Sequence, residues 1–229
     1  MYCHRIWVLH SVAIGLICWG GTAQAATIPV SFSGSVAGID APLAAYFSTG
    51  DSLSGSYSFD SLASATGGSN SQFAVFNSLE TLSFTVGSYS ASTTGAPEIQ
   101  VDNDPPGPNV DRYAVVARAG DGLTGPSLGP WHVTSFIFRL DDSTNTVFSN
   151  ALDQPVSLSL SDFTSSLFFV FFENDRGDLA TISGELRSFD MPAGATVPEP
   201  SSLALAAFGL LGAWSAARRT RRSTQPATL

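Results

Sequence analysis

Lysine is missing from this chain, and all ten basic residues are arginine. Charged residues make up only 13% of the sequence, with nineteen acids. Between residues 26 and 197 five arginines remain (Arg112, Arg118, Arg139, Arg176 and Arg187) against eighteen acids, a charge near −13. Binding a nucleic-acid backbone takes a basic patch, and this stretch supplies none. An acidic surface filled out with Ser, Thr, Gly and Asn suits solubility outside a cell and could draw divalent cations.

Cysteine is nearly absent as well. The two present, Cys3 and Cys18, lie in the first 25 residues, which read as a secretory signal. Arg5 gives the positive start, Ile6 to Cys18 is mostly apolar, and Ala23-Gln24-Ala25 offers a small-x-small cleavage site. With that signal removed the chain has no thiol. A disulfide, a cysteine nucleophile and a thiolate metal site are then excluded. His4 and His10 leave with the signal too, so His132 stands alone and no histidine metal cluster can form.

Helical periodicity is the third lack. The dominant period is two: Ile28, Val30, Phe32 and Val36; Leu53, Tyr57 and Phe59; Leu82, Phe84 and Val86; Phe136, Phe138 and Leu140; Val156, Leu158 and Leu160. Ile99 to Val101, Tyr113 to Ala117 and Ile182 to Phe189 add further strands. Leu167 to Phe172 is apolar throughout and reads as a central strand buried on both faces. Turn signals such as Gly67-Gly68-Ser69-Asn70 and Asn174-Asp175-Arg176-Gly177-Asp178 separate the runs. The expectation is an all-β body over residues 26–192, an antiparallel, jelly-roll-like β-sandwich of roughly eight to ten strands. A Φ-Ser-Gly-x-Φ pattern recurs at Phe32–Val36, Leu53–Tyr57 and Ile182–Leu186. Glycine inside a strand packs nothing, so the three segments are expected in one sheet, with a large neighbouring side chain crossing above the glycines.

The C-terminus is organised differently. A linker over 193–200 contains Val197-Pro198-Glu199-Pro200. An uncharged run of about 17 residues follows over 201–217, the lower limit for a membrane-crossing helix. A basic tail over 218–229 carries Arg218, Arg219, Arg221 and Arg222, which favours the cytoplasmic side and leaves the body outside. This three-part order resembles the PEP-CTERM sorting signal of Gram-negative bacteria. The resemblance covers roughly the last thirty residues. It implies export, a transient inner-membrane anchor, and processing by an exosortase near the Pro-Glu-Pro residues. The protein would finish at the cell surface or in an exopolysaccharide matrix. The β-rich body is loosely similar to the cargo that precedes such signals, without a motif that transfers a function.

Chemistry in the body is sparse. Gly125-Pro126-Ser127-Leu128-Gly129 matches a nucleophile-elbow pattern, but the elbow needs a strand before it and a helix after it. Ser127 and His132, five residues apart, are not expected to meet an aspartate in triad geometry. Calcium takes carboxylate and carbonyl oxygens, so Asp102, Asp104 and Asp111 form a candidate site, although they do not follow an EF-hand loop. Glu173 is expected to be a solvent-facing acid at a strand end, and Trp131 a core or rim residue. The body is therefore expected to be non-enzymatic and without a cofactor, calcium apart. A carbohydrate-binding module and a secreted hydrolase are the alternatives; exposed aromatics on one face would favour the first of these.

Overall fold

The computed structural model describes residues 27–70, 72–104, 110–149, 151 and 154–192. The signal, the sorting residues, the apolar run and the basic tail lie outside them. The strands are β1 (Thr27–Ile39), β2 (Ser52–Asp60), β3 (Gly67–Asn70), β4 (Phe73–Phe76), β5 (Leu79–Val86) and β6 (Tyr89–Thr93). They continue with β7 (Glu98–Asp102), β8 (Asp111–Arg118), β9 (Leu123–Thr124), β10 (Trp131–Asp142), β11 (Ser165–Asn174) and β12 (Leu179–Asp190). All belong to one compact unit, Ala25–Val197.

The fold is all-β and antiparallel, as the period-two pattern requires. It is not two sheets. The twelve strands form one sheet in the order β3-β4-β7-β8-β10-β11-β12-β1-β2-β5-β6-β9. Eleven of them have four residues or more, and β9 has two. The sheet curls on itself. Phe84 of β5 stacks on Phe136 of β10 at 4.3 Å, although four strands lie between them in the sheet order. Tyr57 of β2 meets Tyr113 of β8 in the same way, hydroxyl to hydroxyl at 2.9 Å. A single curled sheet buries one face against itself, and this gives each strand the alternation that two packed sheets would also give. Register shifts in the β1–β12 pairing, at Ser33/Gly34 and Val36/Gly38, lie at the middle of the sheet order, where added twist helps it turn.

The inner face is aromatic. Phe32, Phe84, Phe136, Phe138, Phe168, Phe172, Tyr57 and Tyr113 are buried there. Leu167–Phe172 is central in order, between β10 and β12, but it is not buried on both faces. Phe168, Val170 and Phe172 are fully buried, whereas Leu167, Phe169 and Phe171 are half-buried on the outer face.

The Φ-Ser-Gly-x-Φ segments do share the sheet. β1 pairs with both β12 and β2. A Cβ on Gly55 would strike the Phe32 ring, and one on Gly184 would strike the Phe168 ring as well as the Ser35 carbonyl. At Gly34 the obstacle is backbone, the Glu185 carbonyl. β12 and β1, seventh and eighth in the order, are interior strands rather than edges.

Two readings differ in detail. Val156, Leu158 and Leu160 form no strand. Pro155 stands just before the run, and Ser159 with Asp162 opens a short 3-10 turn at Leu160–Asp162 by reciprocal hydrogen bonds. Gly67–Asn70 is the edge strand β3 rather than a turn.

Candidate functional site

The predicted cleavage residues Ala23 and Ala25 lie outside the described residues. So do the sorting residues Val197, Pro198, Glu199 and Pro200, and the basic stop of Arg218, Arg219, Arg221 and Arg222. The structure does show where the body's two ends emerge. Ser31 is the register partner of Asp190, so the start of β1 and the end of β12 leave the sheet side by side.

Asp102, Asp104 and Asp111 stand where β7 and β8 meet, but they do not converge. Asp111, fully buried, accepts N–H groups from Asp104 at 3.2 Å and Phe148 at 2.8 Å. Asp102 lies 3.6 Å from Arg112, which binds Asp141 at 2.6 Å. Burial pushes the Asp102 carboxyl up and Arg112 pulls it down. Among the described residues no group of three or more His, Cys, Asp or Glu is arranged to hold a metal ion. The Asp102 carboxylate faces an arginine, and that of Asp111 is taken up by the backbone of neighbouring segments. Asp142, the strand partner of Asp111, does the same work for the next loop. It accepts the N–H groups and hydroxyls of Thr144 and Thr146. The Thr146 N–H, above all, holds its carboxyl below the usual range, against the opposing effect of burial.

Ser127, His132 and Asp175 do meet, against the expectation that they could not. The reason is a tight hairpin. Leu128 and Trp131 exchange backbone hydrogen bonds of 2.9 and 3.1 Å around Gly129-Pro130. Gly129 has φ +61°, the left-handed conformation that such a turn demands. The next pair outward is Ser127 and His132, so their side chains are cross-strand neighbours. Ser127 Oγ lies 2.9 Å from His132 Nδ1, and His132 Nε2 lies 3.3 Å from Asp175 Oδ1. Asp175 comes from the turn after β11. Asn174 holds that turn by accepting the N–H groups of Arg176 at 2.9 Å and Asp178 at 3.0 Å. β11 runs beside β10 with His132 opposite Glu173, which delivers the turn to the ring.

This network assigns the tautomer: Nδ1 accepts the serine O–H and Nε2–H donates to the carboxylate. Serine, base and orienting carboxylate are thus in order, with the ring nitrogens exchanged relative to a serine-protease triad. The array is open to water, His132 being 55% and Asp175 76% exposed in the side chain. A hydrogen bond so exposed orients the ring only weakly. Asp175 beside His132 is not an expectation the sequence offers; its acid belongs there to the turn group Glu173-Asn174-Asp175 with Asp178. Its only signal was the turn composition at 174–178, which says nothing of which strand lies alongside.

Two other surface features lie outside this array. On the outer face Phe169 and Phe171 stack at 6.2 Å with rings 23° apart, and the Arg139 guanidinium lies 5.7 Å from the Phe169 centroid. A shallow groove lined by Ser54, Ser83, Ser90, Ser92 and Thr124 reaches Gly125, two residues before Ser127. Glu173 is exposed at its strand end, and Trp131 is 7% exposed and part of the core, both as expected.

Comparison with known proteins gives one family match, the PEP-CTERM protein-sorting motif, over residues 196–222. No curated protein and no solved structure matches the chain.

Proposed function

Because the chain carries a PEP-CTERM protein-sorting motif, we infer an exported protein that an exosortase processes and releases to the cell surface or extracellular matrix of a Gram-negative bacterium. The membrane stage is transient in this reading. The motif match over 196–222 carries it, since it covers the Pro-Glu-Pro residues, the apolar run and the arginine cluster together. Mass spectrometry of surface material from the native host tests it. Peptides from the body are expected and none beyond Ser202. Intact C-termini in the mature pool would reduce the segment to a permanent anchor.

The body is proposed to be non-enzymatic, a structural or matrix-associated module. Support comes from the inner face of the curled sheet, which is packed with mutually stacked rings rather than with polar groups converging on a space. A second reading, a carbohydrate-binding module acting on exopolysaccharide, is favoured by Phe169 and Phe171. Two half-exposed rings on the outer sheet face, with an arginine against one of them, offer aromatic and polar contacts of the kind a sugar ring can use. A glycan array of the processed protein separates the two. Binding lost in a Phe169→Ala/Phe171→Ala variant favours the module, and an array without signal leaves the structural role.

A further inference from the structure

We propose that Ser127 is a base-activated nucleophile that accepts acyl groups from carboxylic esters. The inference goes beyond the non-enzymatic reading and does not depend on it. Three observations carry it. Ser127 Oγ is 2.9 Å from His132 Nδ1, within reach for proton transfer. His132 Nε2 faces the Asp175 carboxylate at 3.3 Å, which fixes the tautomer that leaves Nδ1 free to act as base. Both partners sit on turns held by their own backbone hydrogen bonds, so the pairing is built by the fold.

The step balances within these groups and the ester. The Ser127 Oγ–H proton passes to His132 Nδ1 while Oγ bonds to the acyl carbon. The tetrahedral species collapses by breaking the ester's carbon–oxygen bond. The departing alcohol takes the proton back from Nδ1. The products are an acyl ester on Ser127 and a free alcohol, with His132 and Asp175 as they began. Asp175 is a positioning residue, since it acts through the ring. The exposure that weakens the array also defines its substrate. Ser127 is exposed, so an ester borne on a polymer can approach, and the groove that includes Gly125 offers the hydroxyls of Ser54, Ser83, Ser90, Ser92 and Thr124 to a polyol carrier.

The test uses the processed protein with two probes, p-nitrophenyl acetate and an alkyl fluorophosphonate, and peptide mapping by mass spectrometry. The expected adduct is on Ser127 and forms faster than on any other hydroxyl. His132→Ala should slow it by about 10²-fold, the usual scale for losing a general base. Asp175→Asn should slow it less. All three side chains are exposed, so the variants should melt as the parent does, and a melting curve checks this. Labelling of Ser127 no faster than of Ser58, or equal labelling in His132→Ala, would overturn the proposal and leave a simple cross-hairpin hydrogen bond. The measurement also reads the earlier proposal separately. An acyl group that stays on Ser127 is a modification and leaves the body non-enzymatic. Repeated release of p-nitrophenol beyond one equivalent keeps the nucleophile and overturns the non-enzymatic reading.

Discussion

Two tyrosine hydroxyls meet in the aromatic core and hydrogen-bond each other. Tyr57 and Tyr113 are 2% and 0% exposed and share a 2.9 Å hydrogen bond. Burial raises both phenols well above their ordinary value. Removing one hydroxyl strands the other, so Tyr57→Phe should cost about 1–3 kcal/mol in urea denaturation. The double variant Tyr57→Phe/Tyr113→Phe should recover part of that loss, because it leaves no orphan. Burial also pushes Tyr89 up to about 12. A phenol raised in the folded state gives stability that is intact below the unfolded value and is lost as pH climbs through the folded one. Stability should therefore fall above about pH 10, and less steeply in Tyr57→Phe/Tyr113→Phe. The sign is opposite at Asp142, whose carboxyl is held low by the Thr146 and Thr144 donors. Its contribution is present above the unfolded value and is lost as pH falls through the lowered one. Asp142→Asn should lower the melting temperature at pH 7, with a difference that shrinks as the buffer is acidified below pH 4.

At the scale of elements, β11 is the informative case. Its sequence is apolar at every position from Leu167 to Phe172, which suggests two buried faces, but only one face is closed. Phe168→Ala or Phe172→Ala should cost about 3–5 kcal/mol, because each removes a ring from a filled interior. Phe169→Ala should cost much less, about 1 kcal/mol, since its ring is already partly in water. Equal losses on the two faces would show that the outer rings are covered. The glycines of β2 and β12 behave as packing residues of zero size. Gly184→Ala would press a methyl on Phe168 and on the Ser35 carbonyl, and about 1–3 kcal/mol of overpacking is expected in denaturation. The pattern was visible in the sequence because three copies share one frame. The identity of the crossing ring was not, because it depends on register.

Across the whole molecule, the sheet's order decides what is secure. β1 and β12 lie mid-sheet with partners on both sides, while β3 and β9 are short edges. Native-state hydrogen exchange should find the slowest amides in β1, β10, β11 and β12, and the fastest in β3 and β9. Because Ser31 and Asp190 are register partners, the chain enters and leaves the body at one place. Trimming before Thr27 or after Asp190 leaves the strand ladder untouched. Truncation after Pro192 should accordingly keep the exchange pattern of the body, and faster exchange throughout β12 would show that the tail supports the fold.

What the sequence determined by itself is whatever depends on residue type and local period. The all-β class follows from side chains alternating at period two in Ile28–Val36 and Phe136–Leu140. Export and sorting follow from linear segments read by other machinery, which is why the motif at 196–222 is legible without a structure. Tertiary structure alone decided the rest. One curled sheet and two packed sheets impose the same alternation, so only the unbroken pairing of strands from β3 to β9 distinguishes them. Asp102 and Asp111 are close in sequence yet turn to Arg112 and to backbone N–H groups, because a buried or half-buried carboxylate needs a partner close by. Ser127, His132 and Asp175 come together through a two-residue turn and the β10–β11 register, since spacing along a chain does not say which strands lie side by side.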